Sequence, residues 1–189
     1  SLIVPVGEYV LKRVCQMLSA LRERGRSPLP FIALNVSARQ LEEPGLVERM
    51  LAQLDAHDLP RDRLEVEITE SLVFKHSLIK HLIDECHAAG MEVALDDFGT
   101  GYSNLGPLLG LNFDRIKLDQ SFTRSMDQPR GKAIVQAIVA MTRALGSEMI
   151  AEGVETQDQL DTLRELDCEY AQGWLVGRPV SLQSVLDTD

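Results

Sequence analysis

The chain has 189 residues, 44% hydrophobic and 25% charged, the usage of a globular domain long enough to bury a core. Its formal net charge of −10 excludes a general binder of nucleic-acid polymers, which needs a basic face, but admits an anionic substrate where bound cations offset the acids. No apolar run approaches the ~20 residues of a membrane span and no signal peptide opens the chain, so no membrane segment is expected.

The spacing of Val6, Val10, Leu11, Val14, Met17, Leu18 and Leu21 predicts a helix over 5–24. Residues 31–36 read as a strand and 44–56 as an amphipathic helix with Pro44 in its first turn. Residues 64–69 alternate apolar and acidic, as a strand does, and 72–89 form a helix closed by Gly90. A strand over 92–97 leads into a glycine-bearing loop, and 115–118 is a short strand. A helix over 131–145, a strand over 148–151, a helix over 158–166, a last strand over 170–175 and a short helix over 181–186 complete the order. Strands alternating with helices predict a mainly parallel sheet. Nothing resembling GxGxxG follows the first strand, which disfavours an open nucleotide-binding sheet. A barrel draws its site from many strand ends, and this chain supplies six of the eight strands a barrel needs. The abrupt start at Ser1-Leu2-Ile3 reads as cut from something longer. Cys15, Cys86 and Cys168 have no chelating spacing and read as reduced thiols on buried faces, in a reducing compartment. The four histidines, His57, His76, His81 and His87, read as surface or helix-end residues.

Six short apolar segments end in an ionisable or amide residue: Asn35, Glu67, the pair Asp96 and Asp97, Lys117, Glu152 and Gln172. In a parallel β/α protein these ends share one face, where ligands bind. Adjacent residues of a strand point to opposite faces, so Asp96 and Asp97 can share a site only where the strand ends and twists. Glu65 and Glu67 lie on one strand face by alternation. Glu70 follows as a further carboxylate or as the cap of the next helix, and Asn35 offers a neutral oxygen or serves a turn. Glu155 lies beyond Glu152, while Thr156 suits an N-cap. Lys117 inside an apolar strand is suited to orient water or stabilise negative charge. So many carboxylates around one lysine need cations, and all-oxygen ligands favour Mg²⁺, Mn²⁺ or Ca²⁺ over zinc. A paired-metal site of this kind suits in-line hydrolysis of a phosphodiester.

At these residues the chain resembles the EAL family of bacterial cyclic di-GMP phosphodiesterases. Asn35-Val36-Ser37 resembles the family's NxS motif and Glu67-Ile68-Thr69-Glu70 its ExTE motif. The run from Asp96 to Ser103 resembles its DDFGTGYS loop, and Lys117-Leu118-Asp119, Glu152-Gly153-Val154-Glu155 and Gln172-Gly173 follow in the family's order. The resemblance implies an α/β, TIM-like (β/α)₈ barrel of the EAL type lacking its first strands, with residues 1–189 one N-terminally truncated phosphodiesterase domain. It implies hydrolysis of cyclic di-GMP to linear pGpG with two Mg²⁺ or Mn²⁺ ions, Ca²⁺ being inhibitory. Asn35, Glu67, Asp96, Asp97 and Glu152 would be metal ligands, and Lys117 would hold the attacking water. Glu70 would anchor the loop after Asp97. Gln172 and Glu155 would complete the substrate pocket, with Asp119, Arg178 and Pro179 as further contacts. The resemblance also implies a homodimer, a cytoplasmic domain fused upstream to a sensory or GGDEF-type domain, and a role in second-messenger signalling and biofilm control.

Two departures bear on these expectations. The Glu-Ala-Leu motif that names the family is absent, and its glutamate is a metal ligand. Trp174 and Val176 replace the more usual tyrosine and phenylalanine, a change expected to alter packing rather than chemistry. The alternative reading is a cyclic di-GMP receptor that binds without hydrolysis, and a more remote one is a Mg²⁺-dependent barrel enzyme of the enolase type.

Overall fold

The apolar stripe near the start forms α1 (Ile3–Glu23), which buries Leu11, Cys15, Leu18 and Leu21 on one face. A computed structural model describes residues 2–100 and 106–187. The chain divides into two compact units: Ser1–Ile68 with Lys75–Val93 and Val180–Asp189, and Thr69–Phe74 with Ala94–Pro179.

In the first unit, β1 (Ile32–Asn35) pairs in parallel with β2 (Leu64–Thr69), in a register from Ile32 opposite Leu64 to Asn35 opposite Glu67. Between them lie α2 (Ala38–Leu41) and α3 (Leu46–Ala56), both packed against α1. Helix α2 was not expected from apolar spacing. A capping box makes it: the Ser37 hydroxyl accepts from the Gln40 N–H, while Gln40 Oε1 accepts from the Ser37 N–H at 3.1 Å. Helix α4 (His76–Ala89) buries Ile79, Leu82, Ile83 and Cys86. Gly90 closes it at φ +79°, and the Met91 N–H donates to the Cys86 carbonyl at 2.9 Å. Both faces of β2 are buried. Leu64, Val66 and Ile68 take one, and Glu65 and Glu67, only 1% and 5% exposed, take the other. The apolar–acidic alternation of β2 therefore sets a buried carboxylate face against an apolar one.

In the second unit, the end of β3 (Glu92–Phe98) is followed by β4 (Arg115–Leu118), β5 (Glu148–Ala151) and β6 (Tyr170–Ala171), parallel and paired in sequence order. Helices α5 (Gln120–Ser125), α6 (Pro129–Ala144) and α7 (Gln157–Glu165) connect them. Leu118 of β4 and Met149 and Ala151 of β5 join Val135 and Val139 of α6 and Leu163 of α7 in one buried cluster. Side chains alternate across a strand, so Ile116 and Leu118 share one face of β4, and Arg115 and Lys117 share the other. The short helix α8 (Leu182–Leu186) belongs to the first unit, where Arg24 of the α1 end reaches Asp187 at 3.4 Å.

The strand expected over 170–175 is shorter than its sequence suggested. Only Tyr170 and Ala171 pair with β5, because Gly173 then bends the chain into a turn in which the Val176 and Gly177 N–H groups donate back to the Gly173 carbonyl at 3.1 and 3.0 Å. The helix expected to begin at 72 begins at His76, after a 3₁₀ turn over Glu70–Leu72. The remaining predicted elements agree to within two or three residues. Among the described residues no helix is long and apolar enough to cross a membrane.

The thiols are as expected: Cys15 and Cys86 are buried and Cys168 is half-buried, and none of the three is in a disulfide. Burial raises the Cys15 thiol and pushes the Cys168 thiol up to about 11. Since the thiolate is the reactive form and accumulates as pH rises, alkylation of Cys168, followed by peptide mapping, should climb about tenfold per pH unit from neutrality to pH ~10. A rate already level by pH 9 would contradict a raised thiol. Leu163→Ala should cost about 2–5 kcal/mol, read as a lower urea midpoint at unchanged slope. A loss below ~1 kcal/mol would show that α7 is not anchored through this side chain.

Candidate active site

Strand β3 solves the geometric problem posed by adjacent aspartates. Ala94 lies opposite Arg115 and Leu95 opposite Ile116, but the next pairing is Phe98 opposite Leu118, so β3 carries one extra residue. This is a bulge, which bends the strand and re-aims side chains. Asp97 takes up the distortion at φ +58°, a left-handed conformation uncommon outside glycine and asparagine. The Asp97 N–H donates to Asp96 Oδ1 at 3.0 Å, and the Thr100 hydroxyl donates to the Asp97 carbonyl at 2.9 Å. Both carboxylates thereby come to one side at the C-terminal end of β3.

Lys117, 6% exposed, reaches the same place from β4. Its Nζ lies 2.9 Å from Asp96 Oδ1 and 2.8 Å from Glu152 Oε1, the first residue after β5. Oxygen atoms of Asp96, Asp97 and Glu152 all lie within 4.8 Å of one another. Three carboxylates, those of Asp96 and Glu152 half-buried and that of Asp97 exposed, against one ammonium leave an excess of negative charge that a further cation would offset. Burial, then the charges of Asp96 and Asp119, raise the Asp97 carboxyl above the ordinary range, with Lys117 working against them. Oxygen donors alone at this spacing fit a hard divalent cation.

The other expected residues of this unit take varied places. Glu70 Oε2 accepts from the Gly99 N–H at 2.8 Å, tying the start of the loop after β3 to the 3₁₀ turn. Gly99 sits at φ +95°, and a Cβ there would lie 2.3 Å from the Phe122 ring, so no larger residue fits. Residues 101–105, including Tyr102 and Ser103 of the expected loop motif, lie outside the described residues. Asp119 caps α5 by accepting from the Ser121 N–H at 2.9 Å. Burial works upward on its carboxyl, but the hydrogen bonds from Ser121 and Gln120 prevail and lower it. Glu155 is exposed and lies 3.4 Å from Arg124 Nη2, and Thr156 caps α7. Gln172 is exposed just beyond β6, as are Arg178 and Pro179 farther on. In the first unit, Asn35 Nδ2 donates to Glu67 Oε2 at 2.9 Å, joining the ends of β1 and β2.

Two features escaped sequence reading. Arg115 is buried at the opposite end of the Lys117 face, 3.3 Å from Glu148 and with its guanidinium 5.5 Å from the Tyr170 ring centre. Its i, i+2 relation to Lys117 was the available signal. Trp174 carries a stacked Arg178, with the guanidinium 4.4 Å from the ring centre, and no periodicity announces such a pair.

The EAL domain family model matches residues 1–179. MucR of Pseudomonas aeruginosa, named a bifunctional diguanylate cyclase/cyclic di-GMP phosphodiesterase, is 37% identical over 190 residues, covering 98% of this chain and 27% of MucR. The EAL domain of Mycobacterium smegmatis DcpA has a TM-score of 0.89 at 36% identity, covering 95% of this chain and 82% of that one. A structure of the MucR phosphodiesterase in complex with c-di-GMP has a TM-score of 0.87 at 36% identity, covering 97% and 75%. The chain spans between 21% and 32% of the length of such curated relatives. The fold is the α/β, TIM-like fold of these domains, and the motif residues stand at the strand ends. On both sequence and structure, the chain belongs to the EAL domain family.

Proposed function

We propose that this domain hydrolyses one phosphodiester of cyclic di-GMP to give linear pGpG, and that it needs a divalent cation, Mg²⁺ or Mn²⁺, to do so. The observation that carries the reading is Lys117 held between Asp96 and Glu152, with Asp97 alongside, in a chain of the EAL family. The name of MucR and the c-di-GMP in its structure support the choice of substrate.

In this reading Asp96, Asp97 and Glu152 hold the cation. Asn35 and Glu67 of the first unit, a neutral amide oxygen beside a buried carboxylate, are donors of the kind hard cations accept. A bound divalent cation would supply Lewis acidity to the phosphate and lower the pKa of water. The protein does the rest. Lys117 orients the attacking water and stabilises the charge that develops on the phosphoryl oxygens. The water oxygen bonds to phosphorus and gives up a proton to solvent, the P–O3′ bond breaks in line, and the 3′-oxygen leaves as a hydroxyl by taking a proton from solvent. Glu70 holds the Gly99 N–H so that the bulge carrying Asp97 keeps its shape. A homodimer and an upstream fusion to a sensory or GGDEF-type domain belong to the same proposal.

Incubation with cyclic di-GMP and Mg²⁺ or Mn²⁺, followed by chromatography, should yield pGpG. Ca²⁺, with its looser coordination, should hold the ligand without turnover. Binding without product under any cation would favour the receptor reading, and absence of binding would sink both. Asp96→Asn should reduce turnover by about a hundredfold or more, because it removes one carboxylate charge from the cation site. Retained turnover would exclude Asp96 as a ligand. Lys117→Met should lower kcat by about a hundredfold or more while leaving KM within a few-fold, the pattern of an interaction made mainly in the transition state. A change confined to KM would assign Lys117 to ground-state binding instead.

A further inference from the structure

We propose that Trp174, held in place by Arg178, is a stacking platform for one guanine of the cyclic dinucleotide. The inference rests on the phosphodiesterase reading and deepens it by naming a residue that grips the base.

Trp174 is the single tryptophan of the chain and is 56% exposed. A lone exposed aromatic needs no explanation by itself. This one differs because its position is rigidly tied to the active-site segment. The Gln172 N–H donates to the Ala151 carbonyl at 2.8 Å, and the Val154 N–H donates to the Gln172 carbonyl at 3.0 Å. The Leu175 N–H then donates to the Val154 carbonyl at 3.0 Å. These bonds bracket Trp174 on both sides and bind it to Ala151–Val154, the segment that carries Glu152. Gly173 permits the approach: a Cβ there would lie 2.3 Å from the backbone N and O of Val154. Trp174 is thus fixed to the same backbone that fixes a proposed cation ligand.

The Arg178 guanidinium lies over one face of the indole, 4.4 Å from its centre. A guanidinium covers only one face, which restrains the ring and leaves its other face to a second planar group. Every nucleobase has a π-face, so base–aromatic stacking is a general way to grip a nucleotide. Arg178 also brings a positive charge to the turn that is hydrogen-bonded to the Glu152 segment, a charge suited to a ligand with two phosphodiesters. A ring held in advance loses little entropy on binding.

Because Trp174 is the only indole, the native chain reports on itself. Titration with cyclic di-GMP in Ca²⁺ should quench its fluorescence saturably, with the same midpoint as the heat of binding measured by calorimetry. Trp174→Ala should weaken binding about tenfold to a hundredfold, and Trp174→Tyr should stay within about threefold of the native chain. In turnover with Mn²⁺ the Ala variant should raise KM and keep kcat, a split that a merely structural role would not give, and its thermal midpoint should stay unchanged. Calorimetric binding without quenching, or an Ala variant that binds as tightly as the native chain, would overturn the platform and leave the phosphodiesterase reading standing. Neither heat nor quenching would overturn both. The quenching measurement needs no variant, so it decides the matter even if Trp174→Ala fails to fold.

Discussion

The ammonium of Lys117, clasped between Asp96 and Glu152, is the interaction on which the second unit depends. Lysine inside an apolar strand would be expensive to bury alone, and Asp96 and Glu152 would repel each other without it. Each charge therefore makes the others tolerable, and removing any one leaves its partners uncompensated in a poorly hydrated place. Strand β4 links this cluster to the hydrophobic core by simple alternation. Its odd residues, Arg115 and Lys117, carry the polar face, while Leu118 joins the cluster formed with α6 and α7. Packing on one face of the strand sets the position of charge on the other.

The clasp also explains why β3 must be irregular. A regular strand would send Asp96 and Asp97 to opposite faces and take one carboxylate out of the acidic cluster. The bulge and the left-handed Asp97 bring the pair together at a conformational cost of about 1–3 kcal/mol, offset by the hydrogen bonds that Asp96, Thr100 and the Glu70–Gly99 link provide around it. Strain of this kind concentrates where function demands a fixed geometry. Acids brought close by strain form an excess negative charge that Lys117 alone does not match, which is the physical basis for expecting a divalent cation.

Beyond β5 the chain uses backbone rather than charge to hold the site. The segment after β6 returns to Val154 instead of extending the sheet, and only a glycine at 173 allows the two backbones to come that close. One consequence is that Gln172, Trp174 and Arg178 stand beside the segment of Glu152 rather than along a strand. A sequence that looks like a sixth strand of full length therefore becomes a turn held against Val154.

Much of this was legible in the order of residues. Apolar periodicity located the strands and the long helices, and within the second unit the polar residues at the ends of β3, β4 and β5 marked the cluster of Asp96, Asp97, Lys117 and Glu152. Glycine closing α4 and threonine capping α7 were readable from local chemistry alone. The capping box of Ser37 and Gln40 was readable too but lies outside apolar periodicity. What only the tertiary structure decided were contacts between residues far apart in the chain: Lys117 choosing Asp96 and Glu152, Asp119 spent on capping α5, Arg115 buried against Glu148, and Arg178 laid on Trp174. Residue type and spacing state which chemistry is present, since they depend on neighbours along the chain. Which charges meet, and at what distance, depends on strand register and on where the backbone departs from regularity, and these are set by packing of the whole unit.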